Sequence, residues 1–362
     1  MMTPQREKNI HQHRLMLGWN SFFQEQLENE HLGIGMPVRV VGVRKNSFYV
    51  SEGRREFLAT ASGRLRQADV RYPVVGDWVL VTDTVIHHVL RRRNELSRGA
   101  AGARGKREAL PRRQQVIAAN LDTVWIVCGL DRDYNLRRIE RYLTLVYNCG
   151  LTPAIILTKA DLQTDPEPFV REVEIIAFGV PVHPVSSKDS SGLDQLKDYL
   201  APGRTAAMIG SSGAGKSTLL NRLCGEAVQA TGSVSEAVGK GRHVTTSRDL
   251  IRMPQGGMVI DNPGIREIAF WDSGGGIENA FPDIEQLAAG CRFSDCSHLH
   301  EPGCRVQQAV ARGALGPDRL ESYHKMNREL AYLAERQQKS ADRMEKERWK
   351  EVALKIKAMK KK

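Results

Sequence analysis

The sequence predicts a multidomain protein with an N-terminal all-β barrel, a central α/β domain and a mostly helical C-terminal domain. Its 362 residues suffice for two or three domains, and 41% hydrophobic residues supply material for their cores. Apolar residues alternate with a period of two in the first quarter, and strand and helix signals alternate in the middle. Near the end, cysteines cluster before a segment with helical spacing.

Short strands fill the segment from Pro37 to Arg93. Two-residue alternation recurs between Gly and Asn turns, in the pairs Val38 and Val40, Phe48 and Val50, Phe57 and Ala59, and Trp78 and Leu80. No helical period of comparable strength intervenes, so a small barrel is predicted. Composition alone does not separate an OB-fold from an SH3-like barrel.

A basic run follows the barrel. Nine Lys and Arg residues lie between Arg91 and Arg113, against Glu95 and Glu108, and three glycines interrupt the run. This composition predicts a mobile linker, and a solvated charge run is its ordinary interpretation. The net charge of +11 and the adjoining barrel favour a second interpretation, in which the run binds nucleic-acid phosphates.

The next segment alternates between strand and helix signals. Val124 to Cys128 and Ile155 to Thr158 are apolar runs of strand length, and Leu136 to Cys149 has helical spacing. Such alternation predicts a mainly parallel sheet with helices on both faces.

The second of these strands ends in Thr158-Lys159-Ala160-Asp161, which resembles the guanine-reading N/T-K-x-D element of GTPases. There the carboxylate accepts hydrogen bonds from two guanine N–H groups, and the lysine stem lies along the base. Adenine lacks this donor pair and would leave the carboxylate unpaired, at a cost of about 1–3 kcal/mol. A strand end followed by a helix cap is the alternative. Ser186 and Ser187 resemble the loop that contacts the guanine carbonyl.

A Gly-rich loop lies between the apolar run Ala206–Ile209 and a helical segment that begins with Leu219. It fits G-x-x-x-x-G-K-[ST], and the strand–loop–helix setting is typical of a phosphate-binding P-loop. Backbone N–H groups surround the phosphates in such a loop, Lys216 reaches the phosphate oxygens, and Ser217 coordinates Mg²⁺. The predicted nucleotide-binding residues are Gly210, Ser211, Ser212, Gly213, Ala214, Gly215, Lys216, Ser217 and Thr218.

A third element is the apolar strand that ends in Asp261-Asn262-Pro263-Gly264. We expect Asp261 to act on Mg²⁺ through water and the Gly264 N–H to lie near the γ-phosphate. Between the P-loop and this strand, Thr245 and Thr246 are candidate Mg²⁺ ligands on a switch segment.

The order of these elements is unusual, because the base-reading element precedes the P-loop. A circular permutation moves the chain termini and keeps the three-dimensional site, since βα units can be cut at surface connections. The sequence therefore predicts a circularly permuted GTPase domain.

Three of the six cysteines lie in the pattern Cys291-x₄-Cys296-x-His298-x₅-Cys304. Three thiolates and an imidazole at this spacing are typical of one structural, tetrahedral Zn²⁺ site. His300 is an alternative fourth ligand. Disulfides are the other use of such cysteines, but we expect no signal peptide, and a nucleotide-binding chain in a reducing cytosol favours zinc.

Together these motifs resemble the circularly permuted GTPases of the RsgA/YjeQ type, bacterial factors of late small-ribosomal-subunit assembly. The motifs are T-K-A-D, G-S-S-G-A-G-K-S-T, G-R-H-V-T-T, D-N-P-G and the cysteine pattern, and the resemblance spans about residues 36–340. It implies an OB-fold for the barrel and His298 as the fourth zinc ligand. Val244 departs from the family's usual G-R-H-T-T-T.

The resemblance and the composition together predict six segments. They are an N-terminal extension (1–35), an OB-fold RNA-binding domain (36–98), a basic flexible linker (99–118), a circularly permuted GTPase domain (119–275), a zinc-binding domain (276–345) and a basic tail (346–362).

The resemblance also implies an activity: hydrolysis of GTP to GDP with Mg²⁺, on the small ribosomal subunit and its rRNA, with release coupled to hydrolysis. Lys216 and Asp261 are predicted catalytic residues. Ile265 stands where Ras-like enzymes place a water-orienting Gln, so His243 is the candidate for that role, or else it only packs the switch.

Two other function classes compete with this one. A non-catalytic, nucleotide-regulated RNA-binding module would be expected to lose its Mg²⁺ ligands, yet Lys216, Ser217 and Asp261 are intact. An ATP-dependent kinase or helicase needs different recognition elements, so the guanine-reading element argues against that class. No apolar run approaches the ~18 residues of a membrane span, so we expect a cytoplasmic protein without membrane contact. We also expect a monomer.

Overall fold

The computed structural model describes residues 11–29, 35–67, 71–99, 114–225, 248–261, 276–332 and 335. The chain divides into two compact units. One comprises Met1–Ser97 and Val116–Glu267, and the other comprises Arg98–Gln115 and Ile268–Lys362. The barrel and the nucleotide-domain sheet therefore belong to the same compact unit.

Five strands form the N-terminal barrel. They are β1 (Met36–Val43), β2 (Phe48–Ser51), β3 (Glu56–Ala61), β4 (Trp78–Thr82) and β5 (Val85–Val89). The strands pair in the order β1-β2-β3-β5-β4, and β4 closes the barrel by pairing with β1. All pairs are antiparallel except β3 with β5. This closed order is that of an OB-fold, so the barrel prediction is confirmed.

The described part of the N-terminal extension packs against this barrel. Residues 11–16 are helical, and a second helix spans Ser21–Asn29. Trp19 and Phe23 are buried, and their ring centroids lie 4.7 and 5.9 Å from that of Trp78 in β4. The extension thus adds aromatic side chains to the hydrophobic interior, a role that the sequence does not indicate.

A separate two-stranded sheet follows the barrel. It consists of β6 (Glu95–Gly99) and β7 (Gln114–Ala119). The sequence assigns residues 114–118 to a flexible linker, but they form most of β7, because Ile117 and Ala118 are buried apolar residues. The rest of the predicted linker after β6, residues 100–113, lies outside the described part of the chain.

Six further strands form the sheet of the nucleotide domain. They are β8 (Thr123–Gly129), β9 (Pro153–Thr158), β10 (Val182–Pro184), β11 (Thr205–Ile209), β12 (Arg248–Arg252) and β13 (Met258–Asp261). The order is β10-β9-β8-β11-β13-β12, parallel except for β12. Helices span Leu136–Asn148, Glu167–Ile176, Leu193–Lys197 and Lys216–Cys224. The predicted α/β domain is confirmed.

The barrel and this sheet are hydrogen-bonded into one eleven-stranded sheet. β12 pairs antiparallel with β1, where Gly42 lies opposite Asp249. The Arg44 guanidinium donates to the Asp249 carboxylate at 2.7 Å. A Cβ atom on Gly42 would lie only 2.7 Å from Asp249 Oδ1, so a side chain at this position would displace the Asp249 carboxylate.

The second unit is mostly helical in its described part, as predicted. Helices span Gly276–Ala280, Pro282–Ala288 and Arg305–Ala311, and residues 317–332 are also helical. Phe281, Ile284 and Val306 are fully buried between them. Within the described residues, no helix combines the length and the apolar character needed to cross a membrane. The predicted basic tail, residues 346–362, lies outside the described part.

Buried Arg39 on β1 connects three segments of the first unit. It is 1% exposed, and it donates to the carbonyls of Leu17 (2.5 Å), Gly76 (3.2 Å) and Asn120 (3.2 Å). These carbonyls belong to the N-terminal extension, the barrel and the chain that enters the nucleotide domain. Burial lowers the pKa of Arg39 to about 10, and the three hydrogen bonds compensate for the lost hydration.

Replacing Arg39 with leucine should lower the free energy of unfolding by about 2 kcal/mol or more, because the buried carbonyls of Leu17 and Asn120 lose their donor. The Gly76 carbonyl keeps its hydrogen bond from the Asn120 side-chain amide. Urea unfolding followed by tryptophan fluorescence measures this change. Arg64→Leu, at an exposed barrel position, is the matched control and should change stability by less than about 0.5 kcal/mol. Equal unfolding free energies for Arg39→Leu and wild type would contradict the bridging role.

Candidate nucleotide site and metal centre

Four neighbouring strands of the parallel sheet end at the same edge. β9 ends at Thr158, β8 at Gly129, β11 at Ile209 and β13 at Asp261. The register aligns these ends, with Thr158 opposite Gly129 and Asp261 opposite Met208. Ligands of open α/β sheets bind beyond the carboxyl ends of the strands. The T-K-A-D element, the P-loop and the Asp261 strand therefore meet at one edge, although they are far apart in the chain.

The P-loop turns sharply from β11 into the helix Lys216–Cys224. A Cβ atom on Gly210 would lie 2.3 Å from the Val127 carbonyl oxygen, so the loop leaves the strand through a space that only glycine fits. Gly213 and Gly215 have φ values of +88° and +89°, which glycine adopts without strain. The helix N-terminus that follows presents unpaired N–H groups and partial positive charge to an anion.

Lys216 is half-buried in this loop. Its Nζ donates to the carbonyls of Gly210 (2.8 Å) and Ser211 (2.5 Å). Burial lowers the pKa of the Lys216 ammonium, and the carboxylates of Asp261 and Asp133 oppose that shift. Negative charge entering the loop would act in the same direction as the carboxylates, so the site favours an anionic ligand.

Thr158 and Lys159 connect the T-K-A-D element to the P-loop by hydrogen bonds. The Thr158 hydroxyl donates to the Ala214 carbonyl at 2.6 Å, and the Lys159 ammonium donates to the Gly213 carbonyl at 2.7 Å. Thr158 is buried, and its hydroxyl supports the loop from within the protein.

Asp161 is exposed beyond the end of β9. Its Oδ1 accepts a hydrogen bond of 2.9 Å from the buried Ser186 hydroxyl. The Ser186 oxygen in turn accepts from the backbone N–H groups of Lys188 (3.2 Å) and Asp189 (3.4 Å). The loop that contains Ser186 and the half-buried Ser187 is thereby folded next to the Asp161 carboxylate.

The remaining predicted residues divide into two groups. Ser217 is half-buried in the first turn of the P-loop helix, and Ser212 and Thr218 are exposed. His243, Thr245, Thr246 and Gly264 lie outside the described residues, so their roles stay predictions.

The motif patterns do not identify two carboxylates that the structure places in this site. Asp131, in the loop after β8, accepts from the Lys159 ammonium at 2.7 Å. Asp133 contacts the Ser211 hydroxyl of the P-loop and the Arg138 guanidinium. Their place in the chain is the one indication of this role. Because β8 lies between β9 and β11, the loop that follows β8 must pass both the T-K-A-D element and the P-loop.

The second unit contains a compact Cys3His cluster. The ligand atoms of Cys291, Cys296, His298 and Cys304 all lie within 4.8 Å of one another. Cys291 Sγ lies 3.9 Å from Cys304 Sγ, and His298 Nδ1 lies 3.7 and 3.5 Å from these two sulfurs. These four residues could hold a metal ion, and the fourth member is His298, not His300.

Backbone N–H groups support the cluster from the following helix. The Arg305 N–H donates to Cys291 Sγ and the Gln307 N–H to Cys304 Sγ, both at 3.4 Å. The Gln307 side chain donates to the His298 carbonyl at 2.6 Å. Such contacts orient the ligands and stabilise negative charge on the sulfurs.

Comparison with known proteins gives a consistent result. A family model described as RsgA GTPase matches residues 89–271. A relative from Methanosarcina acetivorans named small ribosomal subunit biogenesis GTPase RsgA is 43% identical, covering 95% of this chain and 92% of the relative. A protein of the same name from Syntrophotalea carbinolica is 45% identical, covering 87% and 89%.

Two solved structures are also similar. The crystal structure of YjeQ from Thermotoga maritima matches with a TM-score of 0.58 and 29% identity, over 82% of this chain and 99% of that chain. The structure of YloQ, described as a circularly permuted GTPase, matches with a TM-score of 0.56 and 25% identity, over 84% and 97%.

Proposed function

The chain belongs to the RsgA GTPase family, and we propose that it hydrolyses GTP to GDP on the small ribosomal subunit during late maturation, with release coupled to hydrolysis, as a cytoplasmic monomer. The names of its relatives support the ribosomal part of this proposal. The observation that carries the nucleotide part is the alignment of the strand ends that lead to Asp161, Lys216 and Asp261.

The guanine base would bind at the end of β9. The Asp161 carboxylate accepts from the two guanine N–H groups, and the loop of Ser186 and Ser187 lies next to it. The lysine stem of Lys159 covers the base, while the buried Thr158 hydroxyl holds the P-loop in place. An unpaired carboxylate disfavours adenine.

The phosphates would bind in the loop from Gly210 to Thr218. When the nucleotide binds, the Lys216 ammonium would donate to phosphate oxygens instead of to the carbonyls of Gly210 and Ser211. We assign Mg²⁺ to Ser217 and to Thr245 or Thr246, with Asp261 acting through water and the Gly264 N–H near the γ-phosphate. When bound, Mg²⁺ stabilises the negative charge of the transferred phosphoryl group.

Hydrolysis is in-line attack of water on the γ-phosphorus. The new bond to the water oxygen forms as the bond to the β–γ bridging oxygen breaks, which yields GDP and phosphate. P-loop N–H groups and Lys216 stabilise the charge in the transition state. Ile265 offers no hydrogen bond to water, so we propose His243 as the residue that orients it.

Binding to the subunit would use the barrel and the basic segment that follows it. Two arginines of the Arg91–Arg113 run have internal partners: Arg92 pairs with buried Asp77 at 2.8 Å, and Arg93 pairs with Asp122 at 2.9 Å. Phosphate contacts to rRNA are therefore proposed for the later residues of the run, together with exposed barrel arginines.

GTP turnover with and without purified small subunits tests the proposal. We expect slow turnover alone, on the order of 10⁻⁴ to 10⁻² s⁻¹, and a rise of ~10³-fold when a partner completes the site. Lys216→Ala should abolish turnover in both conditions. His243→Ala should retain GTP binding and lose mainly the stimulated component. A wild-type rate that small subunits leave unchanged would contradict the ribosomal role.

We also propose that the Cys3His cluster binds one structural zinc ion. Tetrahedral zinc with Zn–S bonds of about 2.3 Å separates its sulfur ligands by about 3.8 Å. The observed Cys291–Cys304 separation of 3.9 Å fits that value. Bound zinc would hold the loop between Cys291 and Cys304 together and take no part in hydrolysis.

Metal analysis should find about one Zn²⁺ per chain, as a closed four-ligand site requires. Cys304→Ala and His298→Ala should lose the metal and lower the stability of the second unit, with nucleotide binding retained. His300→Ala and Cys149→Ala are the matched controls and should keep the metal, because neither residue belongs to the cluster. Full zinc content in a Cys291/Cys296 double variant would contradict the assignment.

A further inference from the structure

The loop that leaves β8 brings a carboxylate to the base-reading element. β8 lies between β9 and β11, so Leu130 to Asp133 follow the strand end that separates Thr158 from the P-loop. Asp131 and Asp133 have different partners there. Asp133 contacts Ser211 and Arg138, whereas Asp131 contacts Lys159.

The Lys159 ammonium lies between two fixed acceptors. Asp131 Oδ2 accepts from it at 2.7 Å on one side, and the Gly213 carbonyl accepts at 2.7 Å on the other. The second Asp131 oxygen accepts from the Asp133 N–H at 3.1 Å, which fixes the carboxylate itself. The hydrogen bond from Lys159 also lowers the pKa of Asp131, so the carboxylate is charged at neutral pH.

The end of β8 leaves room for this arrangement. A Cβ atom on Gly129 would lie 2.7 Å from Asp131 Oδ1 and 3.4 Å from the Cδ and Cε atoms of Lys159. A side chain at this position would displace the Asp131 carboxylate, whereas its contact with the lysine stem would be an ordinary van der Waals contact. Lys159 has a φ of +60°, so its backbone also departs from the extended strand at this point.

A lysine held in this way is ordered before any ligand binds. An ammonium has three N–H donors, and here two of them are directed at acceptors from different segments. Without Asp131, one of the two is lost, and the four-carbon stem regains rotamers that it must give up when a base packs against it. Ordering a long side chain on binding weakens affinity, whereas ordering it beforehand preserves affinity.

We propose that Asp131 is a positioning residue that holds Lys159 for the guanine base and thereby sets the affinity for GTP and GDP alike. This inference rests on the proposed function of the same site. Asp131 acts at the base-reading lysine and not at the phosphate-binding Lys216. Its loss should therefore weaken the affinities for GTP and GDP equally and leave the hydrolysis rate of bound GTP unchanged.

The test compares Asp131→Ala and Asp131→Asn with wild type by titration with fluorescent GDP and a non-hydrolysable GTP analogue. We expect Asp131→Ala to raise both dissociation constants about tenfold and to raise KM with kcat within twofold. Asp131→Asn keeps an acceptor and the side-chain volume, so its effect should be smaller. Asp194→Ala is the matched control, because it also removes a carboxylate paired with a lysine, Lys197 at 2.6 Å; it should bind as wild type does.

A double-variant comparison separates positioning from general loss of structure. If Asp131 acts through Lys159, the Asp131→Ala/Lys159→Ala protein should bind no more weakly than Lys159→Ala alone. The inference would be overturned by additive losses of affinity in the double variant, by a lower kcat in Asp131→Ala, or by wild-type affinity in Asp131→Ala. In each of these cases, GTP binding by the wild type would still support the proposed function. A wild type that binds no guanine nucleotide would overturn both. Should Asp131→Ala fail to fold by circular dichroism, Asp131→Asn carries the same comparison. A loss of affinity that is present with Lys159 and absent in the Lys159→Ala background supports positioning, and an equal loss in both backgrounds overturns it.

Discussion

The side-by-side pairing of β9, β8, β11 and β13 is the constraint on which the candidate site depends. Each parallel strand delivers one functional loop to the same edge of the sheet, and the register sets how far each loop reaches. Chain order has no influence on this geometry. The T-K-A-D element can therefore precede the P-loop in sequence and still lie next to it, which is how a circularly permuted chain builds a GTPase site.

A second pairing joins this site to the barrel. β12 bonds to β13 on one side and to β1 on the other, so the nucleotide-domain sheet and the barrel share backbone hydrogen bonds. Arg44 and Asp249 form an ion pair beside that junction. Arg39 links the barrel to the Leu17 carbonyl, in the N-terminal extension, and to the Asn120 carbonyl, where the chain enters the nucleotide domain. Because Arg44 and Asp249 are partly exposed, their ion pair contributes less than the buried contacts of Arg39.

Local patterns in the sequence predict much of this structure. The P-loop follows from glycine spacing with an apolar strand before it and a helix after it, and the barrel follows from two-residue alternation. The Cys3His cluster follows from ligand spacing, although spacing alone leaves His298 and His300 open. The left-handed backbone at His298 (φ +59°) belongs to the turn that brings it to the cysteines.

Other features depend on contacts between distant segments, which no local pattern records. Arg39 resembles any other basic residue of a strand until its three carbonyl partners are assembled around it. The Asp131–Lys159 pair joins loops on adjacent strands, and Thr158 supports the P-loop through a carbonyl more than fifty residues away. The sequence does not predict strand β7, because the basic, Gly-rich composition of the preceding residues obscures its short apolar stretch.

The most direct test of the account is competitive binding of GTP, GDP, ATP and xanthosine triphosphate to the wild type and to Asp161→Asn. If Asp161 reads guanine, the wild type should bind GTP and GDP at least about tenfold more tightly than ATP, because adenine leaves the carboxylate unpaired. Asp161→Asn should weaken GTP and strengthen xanthosine triphosphate, whose ring replaces a donor by an acceptor. Equal affinity of the wild type for ATP and GTP would contradict the account.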